Sequence, residues 1–339
     1  MNKDKQFKIL SIDGGGVKGL YSAKILAHLE EEYGNPISDY FDMICGTSTG
    51  GLIALALCVK VPASEIVKFY EEDGPKIFAS SNKLWSQIKQ ILVNGKYKDE
   101  NLKKALYNVF GNKVMFDSNN LLCIPSYDLI KGNPRMFKYP HKEGNFMMDK
   151  NIKMTDVALA TSAAPTYLPI AQIEDNLFID GGVWANNPSL CGYLEAIKFF
   201  VGNDKLYSSM QILSIASVTH NSGWNLTSKL GFLKFNKIRH RSFALWGSKL
   251  FDASMNGQNF FTHFFLNGIS DNNDSLHYYR IPSPELSPAQ IVDIDLDKAD
   301  SDSIKLLKSL GDKMGYDYRS AQKSKIDSFF QTYKTYTTK

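Results

Sequence analysis

The chain has 339 residues, of which 43% are hydrophobic, and a formal net charge of +4. This length allows one large or two ordinary domains with a sizeable core, and so small a charge does not by itself indicate a nucleic-acid partner. No uncharged apolar stretch reaches the roughly 18 residues of a membrane-spanning helix, and the polar start runs straight into a strand-like segment rather than a signal peptide. The four cysteines lie in or beside apolar runs without metal-ligand spacing, which favours reduced, buried thiols. We therefore expect a globular cytoplasmic protein.

The N-terminal part predicts two successive strand–turn–helix units. FKILSID (7–13) has the pattern of a buried strand, GGGVKG of a turn, and LYSAKILAHLEEEYG of a helix. FDMICG (41–46) is the second strand, and it enters the helical segment TGGLIALALCV through a turn that contains a serine. Two such units predict an α/β fold with a mainly parallel central sheet flanked by helices.

The later segments continue this alternation. Helices are predicted at ASEIVKFYEED and NLKKALYNVFG, and strands at LLCIPSYDL and PRMFKYP. A helix with Thr155 or Asp156 as its cap is predicted to stop at Pro165. The further segments predict the short strand NLFID, the helix PSLCGYLEAIKFF and the strand QILSIAS. These patterns predict a core over residues 1–217 and a mostly helical C-terminal region over 218–339, packed on the core in a single globular unit.

Ser48 stands at the centre of GTSTG, which has the pattern G-x-S-x-G. A strand before this pattern and a helix after it are typical of a nucleophile elbow, a tight turn in which small neighbours allow a strained serine. The helix N-terminus behind the serine stabilises developing negative charge. The alternative is an ordinary glycine-rich turn whose serine only caps the helix.

A nucleophilic serine needs a group that accepts its proton, and two residues have a suitable place in the sequence. His220 follows the strand QILSIASVT, at a place where the common hydrolases carry the histidine of a triad. Asp180 ends a short strand directly before two glycines, and a carboxylate in a water-poor pocket gains basicity. Since histidines at strand ends and Asp-Gly turns are both frequent, the residues alone leave the choice open.

Acyl transfer also needs donors for an oxyanion, and Gly14, Gly15 and Gly16 offer three backbone N–H groups between a strand and a helix N-terminus. The same run satisfies G-x-G-x-x-G through Gly19, which is the fingerprint of a dinucleotide site. That site needs an acidic residue at the end of the second strand, whereas Asp42 opens that strand. The oxyanion interpretation is therefore favoured, and no cofactor is predicted.

Taken together, SIDGGGVKG, GTSTG, ATSAAPTYLP and the late DGG resemble the patatin-like phospholipase family, in the right order and over about residues 7–217. The resemblance implies a parallel α/β fold and hydrolysis of fatty acyl esters by a Ser–Asp dyad without a histidine. It assigns Ser48 as the nucleophile, Asp180 as the base and Gly14, Gly15 and Gly16 as the oxyanion loop. It also suggests that Lys18 contacts a substrate phosphate, for which the alternative is a solvated lysine.

Two charged segments lie outside these motifs. Residues 224–251 interleave aromatic and aliphatic residues with six Lys or Arg and no acid, which suits contact with an anionic bilayer or, alternatively, a helix pair packed on the core. The acidic run IVDIDLDKADSDS lacks the glycine and glutamate of a calcium loop, so it predicts a capped helix start and no metal.

The sequence thus predicts an enzyme of phospholipase A type that acts on membrane glycerophospholipids through a Ser48-acyl intermediate. Its partner would be the membrane lipid, with peripheral contact through 224–251 and an activating ligand or protein of unknown identity. Two alternatives stay open: a carboxylesterase with a Ser48–Asp180–His220 triad, and a non-catalytic module that binds lipid or nucleotide.

Overall fold

One eight-stranded sheet organises the residues that the computed structural model describes, which are 5–77, 99–219 and 248–338. Most of its strands are apolar along their whole length because helices cover both faces of a parallel sheet. The strands are β1 (Gln6–Ile12), β2 (Met43–Gly46), β3 (Leu121–Asp128), β4 (Asn133–Lys138), β5 (Ala171–Ile173), β6 (Asn176–Asp180), β7 (Ser209–Ile215) and β8 (Leu276–Ile281).

The sheet is mainly parallel, as predicted. Strands β3, β2, β1, β7 and β8 are parallel neighbours in that order. Strands β4 and β6 pair antiparallel with β3, and β5 pairs antiparallel with β6. The carboxyl ends of β1 and β2 therefore lie side by side, and β6 brings its own carboxyl end to β3 from the opposite direction.

The described α-helices connect these strands or pack on them. They are α1 (Gly19–Tyr33), α2 (Thr49–Cys58), α3 (Ala63–Glu72), α4 (Gly74–Ile77), α5 (Glu100–Phe110), α6 (Met154–Ser162), α7 (Gly182–Ala185), α8 (Ser189–Phe199), α9 (Ser248–Ser270), α10 (Pro288–Ile291), α11 (Ser301–Arg319) and α12 (Asp327–Phe330). No helix in these ranges is both long and apolar enough to cross a bilayer.

Two predicted helix starts have different outcomes. Asp300 caps α11 by accepting a hydrogen bond from the N–H of Ser303 at 2.9 Å, which confirms the capped start predicted for the acidic run. The predicted caps of α6 were wrong: the helix already begins at Met154, with Lys153 at its N-cap and no side-chain cap bond. It also ends at Ser162, before Pro165, because the backbone leaves helical geometry at Ala163.

Residues after 217 contribute to the sheet as well as to the helices that cover it. Strand β8 extends the sheet beyond β7, and α11 packs along α1. The chain's last residues are attached by Asp42, whose buried carboxylate accepts hydrogen bonds from the N–H groups of Lys8, Thr335 and Tyr336. This structural use of Asp42 agrees with the rejection of a ribose-binding role for it.

The four cysteines are free thiols, as predicted. Cys45, Cys58 and Cys123 are buried, whereas Cys191 is only partly buried.

Candidate active site

Ser48 lies in a sharp turn between β2 and α2, at the carboxyl edge of the sheet. Its φ of 53° and ψ of −125° lie in a region that residues other than glycine rarely adopt. A Cβ at Gly46 would overlap the carbonyl oxygen of Gly50, and a Cβ at Gly50 would overlap that of Ile12. The two glycines of G-x-S-x-G are therefore required by close backbone packing, and the geometry is that of an elbow.

Two threonines fix this turn to the rest of the sheet edge. The backbone N–H of Ser48 donates to Oγ1 of Thr161 at 3.0 Å, and that hydroxyl in turn donates to the carbonyl of Pro125 at 2.5 Å. The hydroxyl of Thr47 donates to the carbonyl of Ala185 at 2.6 Å. The sequence analysis did not single out either threonine, although both lie inside the quoted segments GTSTG and ATSAAPTYLP.

Asp180 ends β6 and lines the same cavity as Ser48, whose hydroxyl interacts with its carboxylate. The N–H of Gly182 also donates a hydrogen bond to Oδ1 of Asp180, at 2.7 Å. The Asp180 backbone is itself held by α6, since its N–H donates to the carbonyl of Ala163 at 3.0 Å. The structure thus brings together two residues that are 132 positions apart in the sequence.

The electrostatic environment of Asp180 favours proton transfer near neutral pH. Only 2% of the residue is exposed, and this burial raises the pKa of its carboxyl from 3.8 to about 7. The hydrogen bonds from Ser48 and Gly182 oppose the shift because they stabilise the charged form, but desolvation is the larger effect. A carboxylate with such a pKa can both accept and return a proton at neutral pH.

The glycine loop after β1 lies beside the serine, but its three N–H groups differ. The N–H of Gly14 already donates to the carbonyl of Asn186 at 3.1 Å. Among the described residues, no hydrogen bond uses the N–H of Gly15 or Gly16, and both of these glycines line the cavity that contains Ser48. The N–H groups of Gly15 and Gly16 therefore have no partner within the described residues, whereas that of Gly14 is already paired with the scaffold.

A buried ion pair lies directly below this loop. Arg280 of β8 contacts both carboxylate oxygens of Asp13, the residue between β1 and the first glycine, and also donates to the hydroxyl of Ser214 at 2.6 Å. Asp13 is 1% exposed. No motif in the sequence marks Arg280, which lies 267 positions after Asp13.

Lys18 is 7% exposed, so the alternative of a solvated lysine was wrong. Burial lowers the pKa of its ammonium group, and the negative charges of Asp252 and Asp295 oppose this effect only in part. Lys18 does not line the cavity around Ser48.

Histidines take no part in this site as far as the structure describes it. His28 contacts Asp312, His141 contacts Glu195, and His263 lies near Tyr278, while His277 stacks on a phenylalanine. None of these four lines the cavity. His220, the candidate for a triad, lies outside the described residues, as does most of the basic stretch 224–251.

The cavity has an empty volume of about 700 Å³, which includes space open to solvent. Its polar groups are concentrated around Ser48 and Asp180, and most of the remaining wall is apolar or aromatic. The apolar part comes from α2, α3, α4, α5, α9 and loops of the described chain, and consists of Leu52, Phe69, Tyr70, Ile77, Leu102, Tyr167, Leu168, Phe251, Met255 and Leu296. Such a wall suits a long hydrocarbon chain.

A mainly parallel sheet with an elbow serine and a buried carboxylate at its carboxyl edge is the architecture of an α/β serine hydrolase. The sequence profile described as patatin-like phospholipase matches residues 10–190. The chain is also 31% identical over 331 residues to the cGAMP-activated phospholipase of Pseudomonas aeruginosa, across 97% of this chain and 92% of that protein. It is 36% identical over 228 residues to patatin-like protein 2 of Oryza sativa subsp. indica, across 60% of this chain and 56% of that protein.

The chain therefore belongs to the patatin-like phospholipase family. This membership confirms the resemblance found in the motifs, and with it the prediction of a lipid acyl hydrolase with a patatin-type α/β fold.

Proposed function

We propose that the protein cleaves fatty acyl esters of membrane glycerophospholipids, with Ser48 as the nucleophile and Asp180 as the general base. The observation that carries this proposal is that Ser48 lines the same cavity as a buried carboxylate, Asp180, with which its hydroxyl interacts and whose pKa is raised to about 7. A serine that merely caps a helix would not need such a partner. Membership of the patatin-like family favours the dyad over a triad with His220, which lies outside the described residues.

In the first half of the reaction, Asp180 takes the hydroxyl proton while Oγ of Ser48 attacks the ester carbonyl carbon. The carbonyl oxygen becomes the oxyanion and accepts hydrogen bonds from the N–H groups of Gly15 and Gly16. When the carbon–oxygen ester bond breaks, Asp180 returns the proton to the leaving alcohol, and the acyl group stays on Ser48. A water molecule then repeats these steps and releases the fatty acid.

The cavity supports an acyl chain rather than a small polar ester as the substrate. The cavity that contains Ser48 has a largely apolar wall, which includes Leu52, Phe69 and Leu102. Burying hydrocarbon there contributes about 0.8 kcal/mol for each methylene group. We therefore expect long-chain esters to be cleaved with a higher kcat/KM than short-chain ones.

The test is to incubate the purified protein with mixed phospholipid vesicles and to identify released fatty acids and lysolipids by mass spectrometry. Ser48→Ala and Asp180→Asn should each lower hydrolysis by at least about a thousandfold, because a nucleophile and its base act as one unit. His220→Ala is the control for the triad and should stay within a few-fold of wild type. A loss at His220 as large as that at Ser48 would replace the dyad by a triad. A wild-type protein that releases no acyl product under any condition tested below would favour the non-catalytic module.

Regulation by a nucleotide forms part of the proposal because proteins named cGAMP-activated phospholipase match 95–97% of this chain. We expect hydrolysis to rise when cGAMP is added to the vesicle assay. An unchanged rate, with cGAMP shown not to bind by calorimetry, would contradict this expectation.

Two further contacts with lipid are proposed from the sequence. Lys18 would meet a head-group phosphate, and residues 224–251 would lie on an anionic membrane surface. Reversing the charges of Lys234, Lys237 and Arg241 should then lower the constant for binding to anionic vesicles, measured by sedimentation, by about two orders of magnitude, since each cation contributes roughly 1 kcal/mol of binding free energy. Hydrolysis of a water-soluble ester should be nearly unchanged.

A further inference from the structure

Helix α9 (Ser248–Ser270) has two faces of very different character. Met255, Asn259, Thr262 and Leu266 are buried, and their spacing of three and four residues places them on one side. The other side presents Phe260, Phe261, Phe264 and Phe265, which are 73%, 59%, 69% and 41% exposed. We call these four residues the phenylalanine face.

The phenylalanine face is a continuous surface rather than a set of isolated side chains. Phe260 stacks on Phe264 with ring centroids 6.2 Å apart, and Phe261 stacks on Phe265 at 6.0 Å. No Asp, Glu, Lys or Arg occurs between residues 253 and 270. Leaving four aromatic rings of one helix face in water is unfavourable, so a surface of this kind marks a site of contact with another apolar body.

The buried side of the same helix reaches the active site. Phe251 and Met255, in its N-terminal half, line the cavity that contains Ser48. Gln258 accepts a hydrogen bond from the N–H of Asn186 at 3.0 Å, and Asn259 accepts one from its side-chain amide at 3.1 Å. The phenylalanine face is therefore built on the element that also forms part of the cavity wall.

We propose that the phenylalanine face docks on a lipid surface, with α9 lying in the interfacial layer. Three observations favour lipid over a protein partner. The face is apolar and lies on a stretch of helix, residues 253–270, that contains no Asp, Glu, Lys or Arg, as insertion among head groups and upper acyl chains requires. The helix is continuous with the cavity wall, so docking brings the cavity next to the layer that holds the proposed substrate. The chain just before the helix, at residues 224–247, carries five Lys or Arg and no acid, which complements anionic head groups.

This inference deepens the proposed function, since it names the surface through which the enzyme would reach its lipid substrate. Vesicle binding can nevertheless be measured without catalysis. We would use the full chain with Ser48→Ala and measure sedimentation with vesicles of phosphatidylcholine and phosphatidylglycerol. Phe260→Gln with Phe264→Gln should weaken the apparent binding constant by about tenfold to a hundredfold, because two large apolar side chains lose their burial in lipid.

Two companion variants show whether the effect comes from apolar burial at this face. Phe260→Leu with Phe264→Leu keeps an apolar surface and should retain most of the binding. Tyr316→Gln with Leu206→Gln removes two exposed apolar side chains of similar exposure, 66% and 62%, from other parts of the molecule and should leave binding unchanged. All variants should keep the thermal stability of the parent, because the replaced side chains are exposed.

Hydrolysis by proteins that keep the wild-type Ser48 tests the docking inference separately from the proposed function. In the chain that keeps Ser48, Phe260→Gln with Phe264→Gln should hydrolyse a water-soluble ester at a rate close to that of wild type. Its rate of hydrolysis of vesicle phospholipid should fall by the same factor as its vesicle-binding constant. If Ser48→Ala kept full activity, the dyad would be refuted while the binding result would stand. Unchanged vesicle binding by the glutamine variant would overturn the docking proposal. If light scattering then showed that this variant had lost a dimer present in the parent, the phenylalanine face would be a contact between two copies of the chain.

Discussion

Ionisation of Asp180 should control both the activity and the stability of the protein, and pH is the perturbation that tests this. Burial raises the pKa of the carboxyl from 3.8 to about 7 in the folded chain, a difference of about 3 units. Only the ionised carboxylate can accept the Ser48 proton. The kcat/KM for a soluble ester should therefore rise with pH to a plateau above about pH 7, and should fall to about a tenth of the plateau near pH 6 and about a hundredth near pH 5.

The stability effect has the opposite direction with pH. Because the pKa is higher in the folded state than in the unfolded state, the folded protein binds the proton more tightly between about pH 4 and pH 7. Raising the pH through this window therefore costs stability, by up to about 4 kcal/mol for a shift of about 3 units at 1.36 kcal/mol each. Asp180→Asn carries no ionisable group and lacks this loss. The unfolding free energy of Asp180→Asn minus that of wild type should therefore be larger at about pH 8 than at about pH 4, by up to about 4 kcal/mol.

Two measurements check this reasoning. Urea denaturation of wild type and Asp180→Asn at several pH values gives the difference in unfolding free energy, and the pH profile of kcat/KM gives the kinetic pKa. Adding an organic cosolvent separates a carboxyl from an imidazole, because a less polar medium raises the pKa of a neutral acid but not that of a cationic one. A kcat/KM that is flat from about pH 5 to pH 8, or a stability difference independent of pH, would refute the assignment of Asp180 as a base with a raised pKa.

Two further predictions concern the glycine loop. Arg280→Met should lower the unfolding free energy by about 3–5 kcal/mol, since it leaves the carboxylate of Asp13 buried without its cation. Urea denaturation should show that adding Asp13→Asn recovers part of this loss. Equal stability of Arg280→Met and wild type would contradict the role of the ion pair. Gly15→Ala should reduce kcat/KM for a soluble ester by at least about tenfold while the protein stays folded, because the new Cβ would overlap the Ser217 hydroxyl and displace a proposed oxyanion donor. Adding Ser217→Gly should restore part of the activity, and full activity in Gly15→Ala alone would show that the loop's position is not critical.

The sequence by itself determined the fold class and the place of the serine. Alternating apolar runs and helical periodicity mark the strands and helices, and these patterns are local because they follow from the side-chain directions of each element. The elbow at Ser48 is marked locally by the pattern G-x-S-x-G, and Gly46 is required by the turn itself because its Cβ would overlap the carbonyl oxygen of Gly50. These features could be inferred before any residue was placed in space.

The tertiary structure decided how residues distant in the sequence act together. In the sequence, Asp180 belongs to an Asp-Gly pair of the kind found in many ordinary turns. Only the pairing of β6 with β3 brings its carboxyl to Ser48 and buries it deeply enough to raise its pKa. The same holds for Arg280, which reaches Asp13 only because β8 joins the sheet beside β7. Desolvation and ion pairing depend on what surrounds a group in three dimensions, so no local pattern reveals them.

The role of α9 shows the same division. Its sequence, with FFTHFF at its centre, is compatible with a buried helix as well as with a surface one, because periodicity does not say which face meets the core. Packing settles the question: Met255, Asn259 and Leu266 face the protein, and the phenylalanines face outward. The sequence supplied the aromatic residues of this helix, and the tertiary structure decided that they are exposed while Phe251 and Met255 of the same helix line the active-site cavity.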